Sequence, residues 1–221
     1  MELSKEQIQQ VEEYLDKKRF NFIDLRVEVL DHMISDLESF LNKNISFENA
    51  FKTIVLKWDK HFRESSSFFF GFQYHESKIV VKNAVKIFKP FYFLYLVCYF
   101  LPMLIFTNFH IVFSEGFADV TNGFLNGLNI SFVVYLIFLI TKVYKSKVKT
   151  TYSFILKTQY LGIIFLVLPL FMGNHFNDDK SFIPFLISFQ SAGFAVTYIC
   201  HYFYKKHKEA IKKNKFHKLW N

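Results

Sequence analysis

The run PFYFLYLVCYFLPMLIFTNFHIVF, Pro90 to Phe113, contains no Asp, Glu, Lys or Arg. A helix rising about 1.5 Å per residue needs roughly 20 apolar residues to cross a hydrocarbon core about 30 Å thick. This run is long enough, so the chain reads as a membrane protein. Three further runs, Phe124 to Val143, Thr158 to His175 and Phe182 to Tyr204, read as spans as well; the third span, Thr158 to His175, is the shortest of the four but within the permitted range. Composition agrees, since 52% of the 221 residues are hydrophobic, 20% are aromatic and 31 are Phe, well beyond the soluble average.

Orientation follows from the lysines. Lys78, Lys82, Lys86 and Lys89 precede the first span, Lys142, Lys145, Lys147, Lys149 and Lys157 lie at or between the ends of the second and third, and seven Lys follow the fourth. The other two connections carry Glu115, Asp119, Asp178 and Asp179 with a single Lys180. Every basic cluster falls on one side, which predicts both termini to be cytoplasmic. The start, MELSKEQIQQVEEYLD, is polar and acidic and does not read as a cleavable signal peptide.

Residues 1–63 carry 10 Lys+Arg against 12 Asp+Glu, and 64–221 carry 17 against 7, so the basic surplus belongs to the membrane part. An N-terminal part without a positive face argues against nucleic-acid binding. Anionic lipids of the inner leaflet are the expected partner of Lys78, Lys82, Lys86 and Lys89, and of Lys205, Lys206, Lys208, Lys212 and Lys213 in the tail YKKHKEAIKKNKFHKLWN. In the tail, Phe216, Leu219 and Trp220 add apolar surface to Lys215 and Lys218. KIVVKNAVKIFK spaces its lysines by three and four and predicts an amphipathic helix on the leaflet, with Pro90 opening the first span.

Before the membrane part, three short helices are predicted. Ser4 and Gln7 form a capping box for the first, with Ile8, Val11, Tyr14 and Leu15 as its buried face. The second runs from about Phe22 to Leu41 on a stripe of Ile23, Val27, Leu30, Met33, Ile34, Leu37 and Leu41. The third starts at Ser46 and buries Phe47, Ala50, Phe51, Ile54, Val55 and Trp58. About sixty residues barely supply an independent core, so help from the membrane part or from self-association into a homo-oligomer is expected. RESSSFFFGFQYHE reads as a hinge-like linker whose Phe68, Phe69, Phe70 and Phe72 either dip into the membrane interface or cover the small domain. The expected architecture is therefore all-α. It comprises a cytoplasmic helical domain (1–62), a linker with a juxtamembrane helix (63–89), a four-helix transmembrane bundle (90–204) and a basic cytoplasmic tail (205–221).

LSKEQIQQVEEYL, DLRVEVLDHMISDLESFL and ISFENAFKTIVLKW together resemble the HAAS-type helical domain, a module attached to bacterial membrane proteins and often linked with PadR-type regulators. The shared pattern is an N-terminal helix, an acidic E-x-x-D-H-type second helix and a third opening S-F-E-x-A; the chain departs from it in leaving the third helix through LKWDKHF without glycine. The resemblance implies a sensing or protein-interaction module on a multi-pass protein of the bacterial inner membrane. It carries over no catalytic residue.

Chemistry is sparse. Asp24, Glu28, Asp31 and Ser35 share one flank of the second helix with His32 beside them, since about 100° per residue stacks i, i+4 and i+7. Three readings remain open, namely a solvated acidic face, a docking surface for a basic partner or for the Lys-rich loops, and a metal site completed by Glu12, Glu13 or His61. Span interiors contain no Asp, Glu, Lys or Arg, with Lys142 and Lys157 placed to reach the inner interface and His110 and His201 at span ends, which argues against ion-coupled carriage. Asn129, Gln159, Gln190 and Ser191 can still pack helices or line a route for a neutral or lipid-like solute. Phosphate-binding, zinc-protease and nucleophile-elbow motifs are missing, and Cys98 and Cys200 form no CxxC pair. No catalytic, cofactor or metal residue is assigned. The expected role is a membrane-anchored sensing or scaffolding protein that binds a cytoplasmic or membrane protein partner, with a transporter or permease subunit as the alternative.

Overall fold

The computed structural model describes residues 2–220, with the side chains of 161 and 215–220 left out. The leaflet contacts expected of Lys215, Phe216, Lys218, Leu219 and Trp220 lie outside the described residues. The elements are α1 (Lys5–Lys17), α2 (Ile23–Leu41), α3 (Phe47–Phe62), β1 (Glu64–Ser67), β2 (Gly71–Ser77), α4 (Lys78–Asn108), α5 (Glu115–Ser146), α6 (Thr151–Thr158), α7 (Ile164–Met172) and α8 (Pro184–Trp220), with a 3-10 turn at Gln159–Ile163. The fold is helical apart from one two-stranded sheet.

Two compact units divide the chain. The first joins Met1–Lys86 to Val148–Phe154 and Lys206–Asn221; the second is Ile87–Lys147 with Ile155–Lys205. In the first unit the Ser4–Gln7 capping box is formed, its hydroxyl accepting the Gln7 N–H at 3.3 Å while the Gln7 side chain accepts the Ser4 N–H at 2.9 Å. The core holds Val11 and Leu15 of α1, Leu25, Val29, Met33 and Leu37 of α2, and Ala50, Ile54 and Trp58 of α3. The stripe on α2 thus differs from the one expected, since Leu25 and Val29 are buried and Val27 is 49% exposed. Both sets repeat at helical spacing, and packing against α1 and α3 selects between them. Tyr14 donates to Asp59 at 2.6 Å and Lys18 lies 2.8 Å from the same carboxylate, which holds Asp59 below the usual carboxylate range.

The segment expected to be a hinge-like linker is instead an antiparallel hairpin, paired Glu64↔Ser77, Ser65↔Glu76 and Ser67↔Gly71 with a bulge between Ser65 and Ser67. Gly71, at φ +87°, supplies the left-handed turn residue, and the aromatic residues beside it suit strands. The juxtamembrane helix and the first span, expected as separate elements, form the single helix α4, which continues through Pro90 and Pro102.

In the second unit, α8 buries Leu186, Ala192, Val196, Ile199, Cys200 and Phe203. The run Thr158–His175 is not one helix. It passes from the end of α6 through the 3-10 turn into α7, which Gly173 ends at φ +74°. At Gly193 α7 and α8 approach closely, since a Cβ there would stand 2.5 Å from Leu166 Cδ2 and 3.2 Å from the Phe165 carbonyl. The α4–α5 and α7–α8 connections meet, with Phe113 N–H donating to the Lys180 carbonyl at 3.2 Å, His110 3.1 Å from Asp179 and Lys180 3.5 Å from Glu115.

Among the described residues, α4 and α5 are long and apolar enough to cross a membrane. Their most apolar 18-residue windows are 0% and 17% buried, so both helices expose most of their apolar surface. Gly193→Leu should lower the melting temperature of the detergent-solubilised chain, since overpacking costs about 1–3 kcal/mol. Gly127→Leu, where a Cβ meets nothing within 4 Å, should leave it unchanged.

Candidate functional site

The acidic flank of α2 is split by the fold. Asp24 turns inward, and both its carboxylate oxygens accept the Thr151 N–H at 3.0 Å. That N–H belongs to the first residue of α6, where a helix leaves its donors unsatisfied. Thr150 caps the same end. Its hydroxyl accepts the Ser153 N–H at 2.9 Å, and Ser153 Oγ accepts the Thr150 N–H at 2.9 Å. His207, 1% exposed on α8, places Nδ1 2.9 Å from Thr150 Oγ1. That oxygen accepts from Ser153 through one lone pair and keeps a second lone pair and its own proton, so the direction of the bond to Nδ1 is set by the imidazole tautomer. Beside this junction the Ile23 N–H donates to the Lys149 carbonyl at 3.1 Å, and the Lys149 ammonium lies 5.5 Å from the Phe22 ring centroid. Burial pushes the Asp24 carboxyl above its ordinary value against the opposing hydrogen bonds from Thr151, and burial pushes His207 below its own.

Glu28, Asp31, His32 and Ser35 stay exposed on α2. Glu28 and His32 stand 4.0 Å apart, each side chain 66% exposed. Among the described residues no three His, Cys, Asp or Glu side chains converge on a point that could hold a metal ion. Between Asp24 and α8 lies a cleft of about 300 Å³ lined by Ile23, Val27, Tyr152, Lys206 and Lys213 among others. Of the lysines expected at the leaflet, Lys78, Lys82, Lys86, Lys89, Lys205, Lys208, Lys212 and Lys213 are exposed, and Lys206 pairs with Glu209 at 2.8 Å.

In the second unit Asn129 and Gln190, 0% and 2% exposed, bond reciprocally at 2.7 and 2.8 Å. His175 joins them, with Nε2 3.2 Å from Gln190 Oε1 and Nδ1 2.7 Å from Asn122 Oδ1, which also accepts the His175 N–H. If Nδ1 carries the proton, Nε2 needs a donor; turning both the Asn129 and Gln190 amides by 180° supplies one and preserves the reciprocal pair. Gln159 donates to Thr158 Oγ1 at 3.0 Å, and among the described residues no hydrogen bond joins Gln159 or the half-buried Ser191 to this cluster. Sequence reasoning did not find Asn122, His175, Thr150 or His207. Asn122 lies within α5, His175 in the connection after α7, and Thr150 and His207 look like ordinary polar residues, so periodicity carries no signal for them.

Neither the protein-family profiles, the curated proteins nor the solved structures contain a match to this chain.

Two outcomes follow from this geometry. Burial depresses the His207 pKa, so the stability tied to its uncharged form is present above about pH 6.5 and lost as pH falls through the folded value. Melting of the wild-type chain at pH 7.5 and 5.5 should show this loss, and His207→Asn should reduce it. Gln190→Leu should cost about 1–3 kcal/mol by leaving the Asn129 amide buried and unpaired. The Asn129→Leu/Gln190→Leu double variant should cost less than the two singles together, as read from a double-mutant cycle of detergent unfolding.

Proposed function

We propose that the chain is a multi-pass protein of a bacterial inner membrane, both termini cytoplasmic, that acts by binding a protein partner through the exposed face of α2. The carrying observation is the division of the acidic flank. Asp24 is engaged internally by Thr151, which fixes the start of α2, and Glu28, Asp31, His32 and Ser35 are left facing outward on a helix so anchored. The resemblance of residues 1–62 to HAAS-type interaction modules supports the same role.

Four crossings are proposed. The first two are α4 and α5, and the last lies within α8. The remaining one is the broken run from Thr158 into α7, where five 3-10 residues at about 2 Å each and nine α residues at about 1.5 Å each reach roughly 24 Å, close to a thin bilayer core. The meeting of the α4–α5 and α7–α8 connections supports a common side for both, opposite the lysine clusters. The reciprocal Asn129–Gln190 pair supports helix packing over a solute route, since each amide already satisfies the other.

Crosslinking in native membranes tests the partner reading. The Glu28→Lys/Asp31→Lys chain, with Asp24 intact and an unchanged melting temperature, should lose crosslinked species that the wild type forms. An unchanged set of crosslinks would sink it.

A further inference from the structure

We infer that the tip of the β1–β2 hairpin is a lipid-engaging wedge that seats Phe68 and Phe72 in the lipid–water interface. The inference deepens the membrane reading proposed above and rests on it. From Ser65 to Tyr74 the hairpin has no charged residue, whereas Glu64 and Glu76 lie at its open base. Three of its four phenylalanines divide by role. Phe70 is 5% exposed and packs edge-on against Phe154 at 5.4 Å, which fixes the turn from beneath. Phe68 and Phe72, on either side of it, are 70% and 67% exposed. Gly71 lies between them at φ +87°, so the turn presents both rings from a defined backbone.

What covers these rings follows from the anchors of the hairpin. Glu76 lies 3.6 Å from Lys149, and Phe70 rests on Phe154, so the C-terminal end of β2 and the turn before it are tied to the segment Val148–Phe154. That segment comes directly after α5, which ends at Ser146. If α5 crosses the bilayer with its Lys-rich end inward, this segment begins at the inner surface, two residues beyond the end of α5. Immediately after β2, α4 exposes Lys78, Lys82 and Lys86, which complement an anionic headgroup layer. Exposed aromatic rings on an uncharged tip and lysines on the helix that follows supply the two chemistries of an inner leaflet, rings for the acyl boundary and ammonium groups for the phosphates.

The test uses the full chain in nanodiscs of phosphatidylethanolamine and phosphatidylglycerol, with p-benzoylphenylalanine in place of Phe68 or Phe72, one at a time. The same residue is placed at Val134, exposed on α5, as a membrane reporter and at Lys52, exposed on α3, as a water reporter. After irradiation, intact-mass spectra should show a lipid-mass shift at positions 68, 72 and 134 and none at 52. A lipid shift at 134 with none at 68 and 72 would overturn the wedge and leave the membrane reading standing. A shift of one whole chain at 68 or 72 would overturn it too, by showing a second copy on the tip. No lipid shift at 134 would overturn the membrane reading, and the wedge with it.

Discussion

The N-terminus of α6 is the constraint on which the first unit depends. A helix start leaves backbone N–H groups without partners, and a buried one must find acceptors elsewhere. Here Thr151 finds its acceptor in Asp24, 127 positions away, and Thr150 meets His207, 57 positions away. Three stretches of chain are thereby joined, and the N-terminal helices are completed by residues from the loop after α5 and from the end of α8. A sixty-residue, three-helix core gains what it lacks by borrowing these segments rather than by growing.

The second unit solves a related problem with different materials. Where apolar contact gives helices little reason to associate, close approach and internal polar pairs take over. Gly193 lets Leu166 approach α8 without a side chain in between, Gly162 does the same for Val196, and the Asn129–Gln190 pair with His175 and Asn122 satisfies buried polar groups across α5, α8 and the loop before it. Asn129, Gln190, His175 and Asn122 are bonded to one another, which makes them structural clasps first.

Exposure sorts the aromatic and acidic residues in the same way in both places where the sequence left a choice. Among Phe68, Phe70 and Phe72 the hairpin turns one ring inward and two outward, and among Asp24, Glu28 and Asp31 the α6 junction draws one carboxylate in and leaves two in solvent. In each case the inward residue is the anchor and the outward ones form the surface available to something else.

The sequence by itself determined the helical character, the Ser4 cap, the positions of α1 to α3 and the apolar runs of α4 and α5, because caps and hydropathy act within a turn or two of helix or along one continuous run. It also brought forward Asn129 and Gln190 as polar residues in apolar surroundings. Only the tertiary structure decided that Asn129 and Gln190 face each other, that RESSSFFFGFQYHE pairs with itself, that the run after Thr158 breaks into a 3-10 turn, and that Asp24 leaves the acidic face. Each of these depends on which distant group arrives as a partner. A one-dimensional pattern records how apolar a face is, while hydrogen-bond partners and steric neighbours are set by the fold that brings them within about 3 Å.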